Sequence, residues 1–204
     1  MTKPPLLKPD QIYTFSKYFE LTFDPEDILE ELGYSLVRSQ FNFSQFSGQF
    51  EITSLKNRIE QDLIVVDLTS ETARREVIIA PVLLELCRFL RAKLKIEYPI
   101  VVNDRLRGSV DYLVQFKNSF LVVEAKNADL SRGFTQLSVE LIALDQWINS
   151  PSEMLWGAVT TGDIWKFGVL SRPEKQIRQD INLYRVPADL EELMRILIGL
   201  LISE

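Results

Sequence analysis

The sequence contains no histidine. That absence removes Ser-His-Asp and Cys-His nucleophiles, histidine general bases and histidine-held metals. Cysteine is nearly as scarce: Cys87 stands alone, which excludes an intrachain disulfide and a Cys-rich zinc site. Its position in an apolar helical pattern points to a buried thiol. Long apolar runs are missing too. Nothing approaches the roughly 18 uninterrupted apolar residues of a membrane span, and the most apolar tail, "LMRILIGLLISE", is broken by Arg195. The chain does not open on the basic-then-apolar layout of a secretory signal. The expectation is a soluble protein of a reducing compartment, the cytoplasm. A basic surplus is also lacking. With 23 Lys and Arg against 29 Asp and Glu, the net charge is −6. That disfavours broad nonspecific binding to nucleic acid but leaves room for a local basic patch. Hydrolytic chemistry in this chain must use carboxylates, lysines, hydroxyls or a hard metal held by oxygen.

What is present is ordinary for a folded domain. The 204 residues are 46% hydrophobic and 25% charged, enough for one sizeable α/β domain or a smaller one with an extension. Disorder is expected only in the opening "MTKPPLLKP". Residues 24–33, "DPEDILEELG", carry an Asp cap, an early Pro, acids in the first turn and a closing Gly, the marks of a short helix. "YSLVRSQFNFSQFSGQFEI" alternates polar with aromatic or aliphatic residues and predicts strands with a turn near Ser47-Gly48. Residues 1–69 are read as an N-terminal extension packed on a main domain of residues 70–204.

That domain begins with a helix capped by Ser70, in which Pro81 predicts a kink or short break. "IEYPIVV" predicts an edge segment, because Pro99 cannot serve a central ladder. "GSVDYLVQF" and "SFLVVEAK" predict two strands around Lys117-Asn118. "RGFTQLSVELIALDQWI" predicts a helix on the stripe Phe134, Leu137, Leu141, Leu144 and Ile148. "MLWGAVTTGDIWKFGVL" predicts two strands around a Thr-Gly-Asp turn. The chain then closes on a helix striped with Leu190, Leu193, Leu197, Leu200 and Leu201, read as core first and dimer packing second. Val110, Tyr112, Val114 and Phe116 on one side of their strand, with Leu113 on the other, imply a mixed sheet flanked by helices on both faces.

One apolar strand ends in Glu124-Ala125-Lys126, charges that a buried strand should not carry without use. If the hairpin loop is Lys117-Asn118, with Asn118 taking positive φ, Asp111 lies opposite Glu124 and Lys126 shares their face. If the loop is Asn118-Ser119, Asp111 faces Lys126 and the three still share a face. A three-residue loop would put Asp111 on the other face. Two facing carboxylates repel by roughly 4 kcal/mol at an effective dielectric near 20 and a separation near 4 Å. Lys126 can offset one charge, whereas a divalent cation can hold both. Mg²⁺ suits the pair, since it takes one or two carboxylates and keeps sites for water and phosphate oxygen. Such a cation would acidify its water and offset charge developing on phosphorus, with Lys126 positioning that water or helping to deprotonate it.

The spacing Asp111-x12-Glu124-x-Lys126 on a hairpin, between a helix with an early glutamate and a helix bearing Gln136, resembles the PD-(D/E)XK nuclease superfamily. "SETARREVIIAPVL" and "TTGDIW" are most similar to the N-terminal nuclease region of type I restriction enzymes, and the likeness spans about residues 70–170. The resemblance implies a restriction-endonuclease-like core of helix, three strands, helix and strand. It implies Asp111 and Glu124 as metal ligands, with Glu76 or Glu71 as the first-helix acid, and Lys126 as the catalytic lysine. Gln136 would orient the lysine or the substrate. Val110 replaces the name-giving proline, and Glu140 stands where some subfamilies place tyrosine. The implied activity is Mg²⁺-dependent hydrolysis of nucleic-acid phosphodiesters, by a DNA endonuclease in which Mn²⁺ can substitute. The implied partners are DNA and either a second copy of the chain or a protein that supplies specificity. A catalytically silent interaction or nucleic-acid-binding module is the alternative. Lys93, Lys95, Arg105 and Arg107 are candidate phosphate contacts, though such charges more often serve solvation. Trp165 is read as core packing before base stacking.

Overall fold

The computed structural model describes residues 5–8 and 10–203. The expected disorder of "MTKPPLLKP" falls partly outside these residues. Within them, Leu7 is fully buried and Glu31 accepts the backbone N–H groups of Leu6 (2.6 Å) and Leu7 (3.1 Å). In chain order the elements begin with α1 (Phe15–Glu20), α2 (Pro25–Glu31), β1 (Ser35–Ser39) and α3 (Thr53–Val65). Next come α4 (Glu71–Arg74), a π-helical turn (Arg75–Ile79) and α5 (Ala80–Leu90). They are followed by β2 (Lys93–Asn103), β3 (Leu106–Phe116), β4 (Ser119–Ala125) and α6 (Leu130–Trp147). The chain ends with β5 (Met154–Thr160), β6 (Ile164–Ser171), β7 (Gln176–Asp180), β8 (Tyr184–Arg185) and α7 (Leu190–Ile202).

The eight strands form one mixed sheet ordered β1-β7-β6-β5-β4-β3-β2, with β8 paired to β6. The β1–β7 and β4–β5 ladders are parallel, and the others are antiparallel. Pro99 lies in β2 at the sheet edge, where its missing N–H costs least. The N-terminal region supplies the opposite edge strand, β1. No described helix is long and apolar enough to cross a membrane.

Each sheet face carries its own apolar core. One gathers Ile59 of α3, Leu83 and Leu86 of α5, and Leu193 and Leu197 of α7 against Tyr112, Val114, Leu121 and Val123. The other gathers Phe15 of α1, Ile28 of α2, and Leu137 and Leu141 of α6 against Leu113, Phe120 and Val122. β4 is buried along its whole length, which explains its unbroken apolar run.

Three local expectations need correction. The aromatic segment 40–52 is irregular rather than paired strand, and Ser39 ends β1. Its alternating rings are anchors: Phe43 meets Trp156, Phe167 and Tyr184, while Phe46 and Phe50 meet Phe89. Lys117, at φ 52°, takes the positive-φ place in the hairpin instead of Asn118. Val110 packs with Ile100 and Leu106 on the α6 face, opposite Tyr112 and Val114. The side-chain alternation of β3 therefore reverses between residues 110 and 112, at Asp111. Its neighbour β2 turns at the same level, where Glu97 adopts φ 51° between the pairs Ile96–Tyr112 and Tyr98–Val110.

Candidate active site

The β3–β4 hairpin closes with Phe116 opposite Ser119 and runs in register to Tyr112 opposite Val123. One step further sets Asp111 level with Glu124, as the loop Lys117-Asn118 requires. Asp111 Oδ2 accepts the backbone N–H of Ala125 at 2.8 Å, so its carboxylate is held at the end of β4. Lys126 continues the parallel pairing, its N–H donating to Thr160 O at 2.8 Å. Its ammonium turns back onto Glu124 Oε1 at 2.5 Å and lies 5.0 Å from the Phe19 ring centroid.

Helix α6 brings the next shell of groups. Asp129 caps it by accepting the N–H of Arg132. A Cβ on Gly133 would stand 2.8 Å from Val159 Cγ2 and 2.9 Å from Lys126 Cγ, so glycine allows the helix start to seat against the strand ends. One turn on, Gln136 Nε2 donates to Glu124 Oε1 (2.5 Å) and to Glu140 Oε1 (2.9 Å). Glu124 and Glu140 are 1% and 0% exposed, and Oε2 of each lacks a partner among the described residues.

Buried, closely placed carboxyls cannot all ionise cheaply. Burial first, and then the charge of Asp111, push Glu124 up to about 8 against the pull of Lys126. Glu140 is pushed well above the carboxylate range by burial and by Glu124. Lys126 bonds directly to Glu124 and favours its ionised form, so we assign the shared proton of this pair to Glu140. Asp111 is also raised by burial, with the Ala125 N–H, Arg75 and Lys126 opposing.

The first-helix acids separate clearly. Glu71, in the first turn of α4, is half-buried and raised by burial, with Lys126 and Asp111 among the charges acting on it. Glu76 is exposed and acts on Tyr112 instead. Arg75, not singled out from sequence, opens the π-helical turn. Its Nη1 lies 2.7 Å from Glu97 and 3.7 Å from Asp111, its Nε donates to Tyr112 Oη at 3.2 Å, and its guanidinium stands 5.1 Å from that ring's centroid. Glu97, likewise unforeseen, makes a row across three strands with Asp111 and Glu124. Spacing alone would have missed it: counting back from the Asn103–Leu106 pair sets Tyr98 opposite Asp111, and only the register shift between Val101 and Asn103 brings Glu97 to that level.

Other candidates lie elsewhere. Arg105 and Arg107 stand near Glu31 and Asp104, at 3.7 and 3.6 Å. Lys95 lies over Tyr98, and Lys93 is exposed. Trp165 is fully buried and donates its indole N–H to Gly162 O at 2.8 Å, a packing role. The turn beside it is clipped to α4 by Arg74, which donates to Thr161 O and Asp163 Oδ1, both at 2.8 Å.

Two of the groups that a small hard cation would use are present. Asp111 and Glu124 supply two carboxylates on neighbouring strands, and Glu124 Oε2 is without a hydrogen-bond donor. Among the described residues no three His, Cys, Asp or Glu side chains converge into a metal-holding group. A cation there would complete its shell with water, as Mg²⁺ commonly does. The chain matches no family model, no curated protein and no solved structure.

Proposed function

We propose that the chain is a divalent-metal-dependent nuclease that hydrolyses phosphodiesters of DNA, on a restriction-endonuclease-like core formed by α4–α5, β2, β3, β4, α6 and β5. The observation that carries this reading is the hairpin register, which brings Asp111 level with Glu124 while Lys126 bonds to Glu124. Asp111 and Glu124 would hold Mg²⁺, or Mn²⁺ in its place, with Glu71 the nearer of the two first-helix acids. The cation would offset charge developing on phosphorus. Lys126 orients the attacking water and takes part in its deprotonation. Gln136 fixes the rotamer of Glu124, leaving Oε2 for the cation.

One observation favours the silent-module reading. Asp111 already receives the Ala125 N–H on one oxygen and has Arg75 3.7 Å from the other. Incubating supercoiled plasmid and single-stranded DNA with Mg²⁺ or Mn²⁺ separates the two. Metal-dependent cleavage abolished in both Lys126→Ala and Asp111→Asn supports the nuclease. Lack of cleavage, combined with no rise in melting temperature on adding metal, supports the silent module.

A further inference from the structure

We infer that Arg75 is the residue that takes a substrate phosphate beside the cleavage site. This rests on the nuclease reading and assigns a role that the hairpin acids and lysine leave open. The mouth of the site is acidic, with Glu71, Glu97 and Asp111 around it and Glu124 buried behind them. A phosphodiester approaching this mouth meets repulsion unless cations face it. Of the two cations that act on these acids among the described residues, Lys126 is committed to buried Glu124. Arg75 is the other. With Nη1 3.7 Å from Asp111, its guanidinium is within reach of any phosphate delivered to that carboxylate.

The support of Arg75 is asymmetric in a way that suits exchange. On one side Tyr112 fixes it through ring and hydroxyl, a contact in which 21% of the arginine side chain remains exposed. On the other side it is bound to Glu97, whose side chain is 57% exposed. Exposed ion pairs contribute little, whereas a phosphate can accept two parallel N–H bonds from the guanidinium fork. Glu97 would thus hold Arg75 ready and release it to the substrate. Two independent features mark the place as specialised. Arg75 begins a π-helical turn, a distortion frequent at functional sites, and Glu97 sits at φ 51° inside a strand.

The test is fluorescence anisotropy of a labelled 20-base-pair duplex and its single strand, with Ca²⁺ replacing Mg²⁺, over a series of salt concentrations. Arg75→Ala, Arg75→Lys and the wild-type chain are compared after circular dichroism confirms folding, with Mg²⁺ binding to each measured by calorimetry. For Arg75→Ala we expect about tenfold weaker DNA binding and a duplex salt slope smaller by about 0.9, the loss of one phosphate contact. Arg75→Lys should keep the salt slope but recover only part of the affinity, because it lacks the fork. Unchanged affinity and slope in Arg75→Ala overturn the assignment while leaving the nuclease reading intact. So does unchanged DNA binding with weakened Mg²⁺ binding, which would make Arg75 a positioning residue for Asp111. A wild-type chain that binds neither DNA form overturns the assignment together with the nucleic-acid reading.

Discussion

The two long helices that cover the sheet are built on opposite principles. On α7, the residues Leu190, Leu193, Met194, Ile196, Leu197, Ile198, Gly199, Leu200 and Leu201 are buried and apolar. On α6, burial extends to Thr135, Gln136, Ser138 and Glu140 among the leucines. Apolar burial contributes stability at about 25 cal/mol per Å² with no partner to arrange. A buried carboxyl does the reverse unless it is protonated, paired or useful. α7 therefore reads as scaffold, and α6 as a helix that gives up stability to hold Gln136 and Glu140 against Glu124. The same division runs through the sheet. β4 is apolar from Phe120 to Val123, and polar chemistry begins at Glu124, where that strand meets α6.

Substitutions at the active end should separate function from folding most sharply. Lys126→Ala is expected to lower metal-dependent cleavage by the folded protein by about 10²–10⁴-fold, the range of a lost acid–base group, a loss beyond what the destabilisation from leaving buried Glu124 unpaired explains. Cleavage within threefold of wild type would remove Lys126 from the chemistry. The scaffold should behave in the opposite way. Leu197→Ala in α7 is expected to cost about 2–5 kcal/mol in urea unfolding while the folded protein keeps its specific activity. A loss of activity greater than the unfolded fraction explains would contradict the division.

Glu140 tests the cost carried by α6. The folded protein keeps a proton on this carboxyl pair that the unfolded chain would release near neutral pH. The resulting stability is full below the ordinary carboxylate range and is lost as pH rises above it, toward the raised values of the pair. Unfolding free energy should therefore fall between pH 5 and pH 8, by at most about 1.4 kcal/mol per pH unit for one proton. Glu140→Gln should flatten that dependence, and equal slopes in the two proteins would refute the shared proton. The smallest effect is expected on the first helix. Glu76→Ala should leave cleavage unchanged and stability within about 0.5 kcal/mol, as for a plain surface site. Glu71→Ala should instead reduce cleavage or raise the Mg²⁺ needed for it. The opposite ranking would reassign the first-helix acid.

Much of the framework was legible because local rules and tertiary context agree. Asp24, Pro25 and Gly33 delimit α2, Ser70 caps α4, and the leucine stripes of α6 and α7 face their cores. The break expected at Pro81 is the π-helical turn Arg75–Ile79, which interrupts the α-helix directly before Pro81 enters the first turn of α5. Where elements were missed, the residues had little local signal. α3 buries only Leu55 and Ile59 while exposing Ile64 and Val65, which blurs its stripe. β7, "QIRQD", has one apolar residue and becomes a strand through its partners β6 and β1. The even alternation assumed for β3 failed at Asp111 because a turn in β2 redirects both strands.

The sequence by itself determined that histidine chemistry and an intrachain disulfide are excluded, and which residues carry the charges at the end of β4. It also set Asp111 and Glu124 at one level of the β3–β4 hairpin, once Lys117-Asn118 is taken as a two-residue loop, because antiparallel register is counted outward from the turn. Only the tertiary structure set Glu71 rather than Glu76 among the charges of Asp111 and Lys126, brought Arg75 and Glu97 to Asp111, and buried Glu140 against Gln136 and Glu124. Those choices depend on helix rotation, on the strand distortion at Glu97 and Asp111, and on how closely Gly133 lets α6 approach. These are set by packing across many contacts, and no local spacing encodes them.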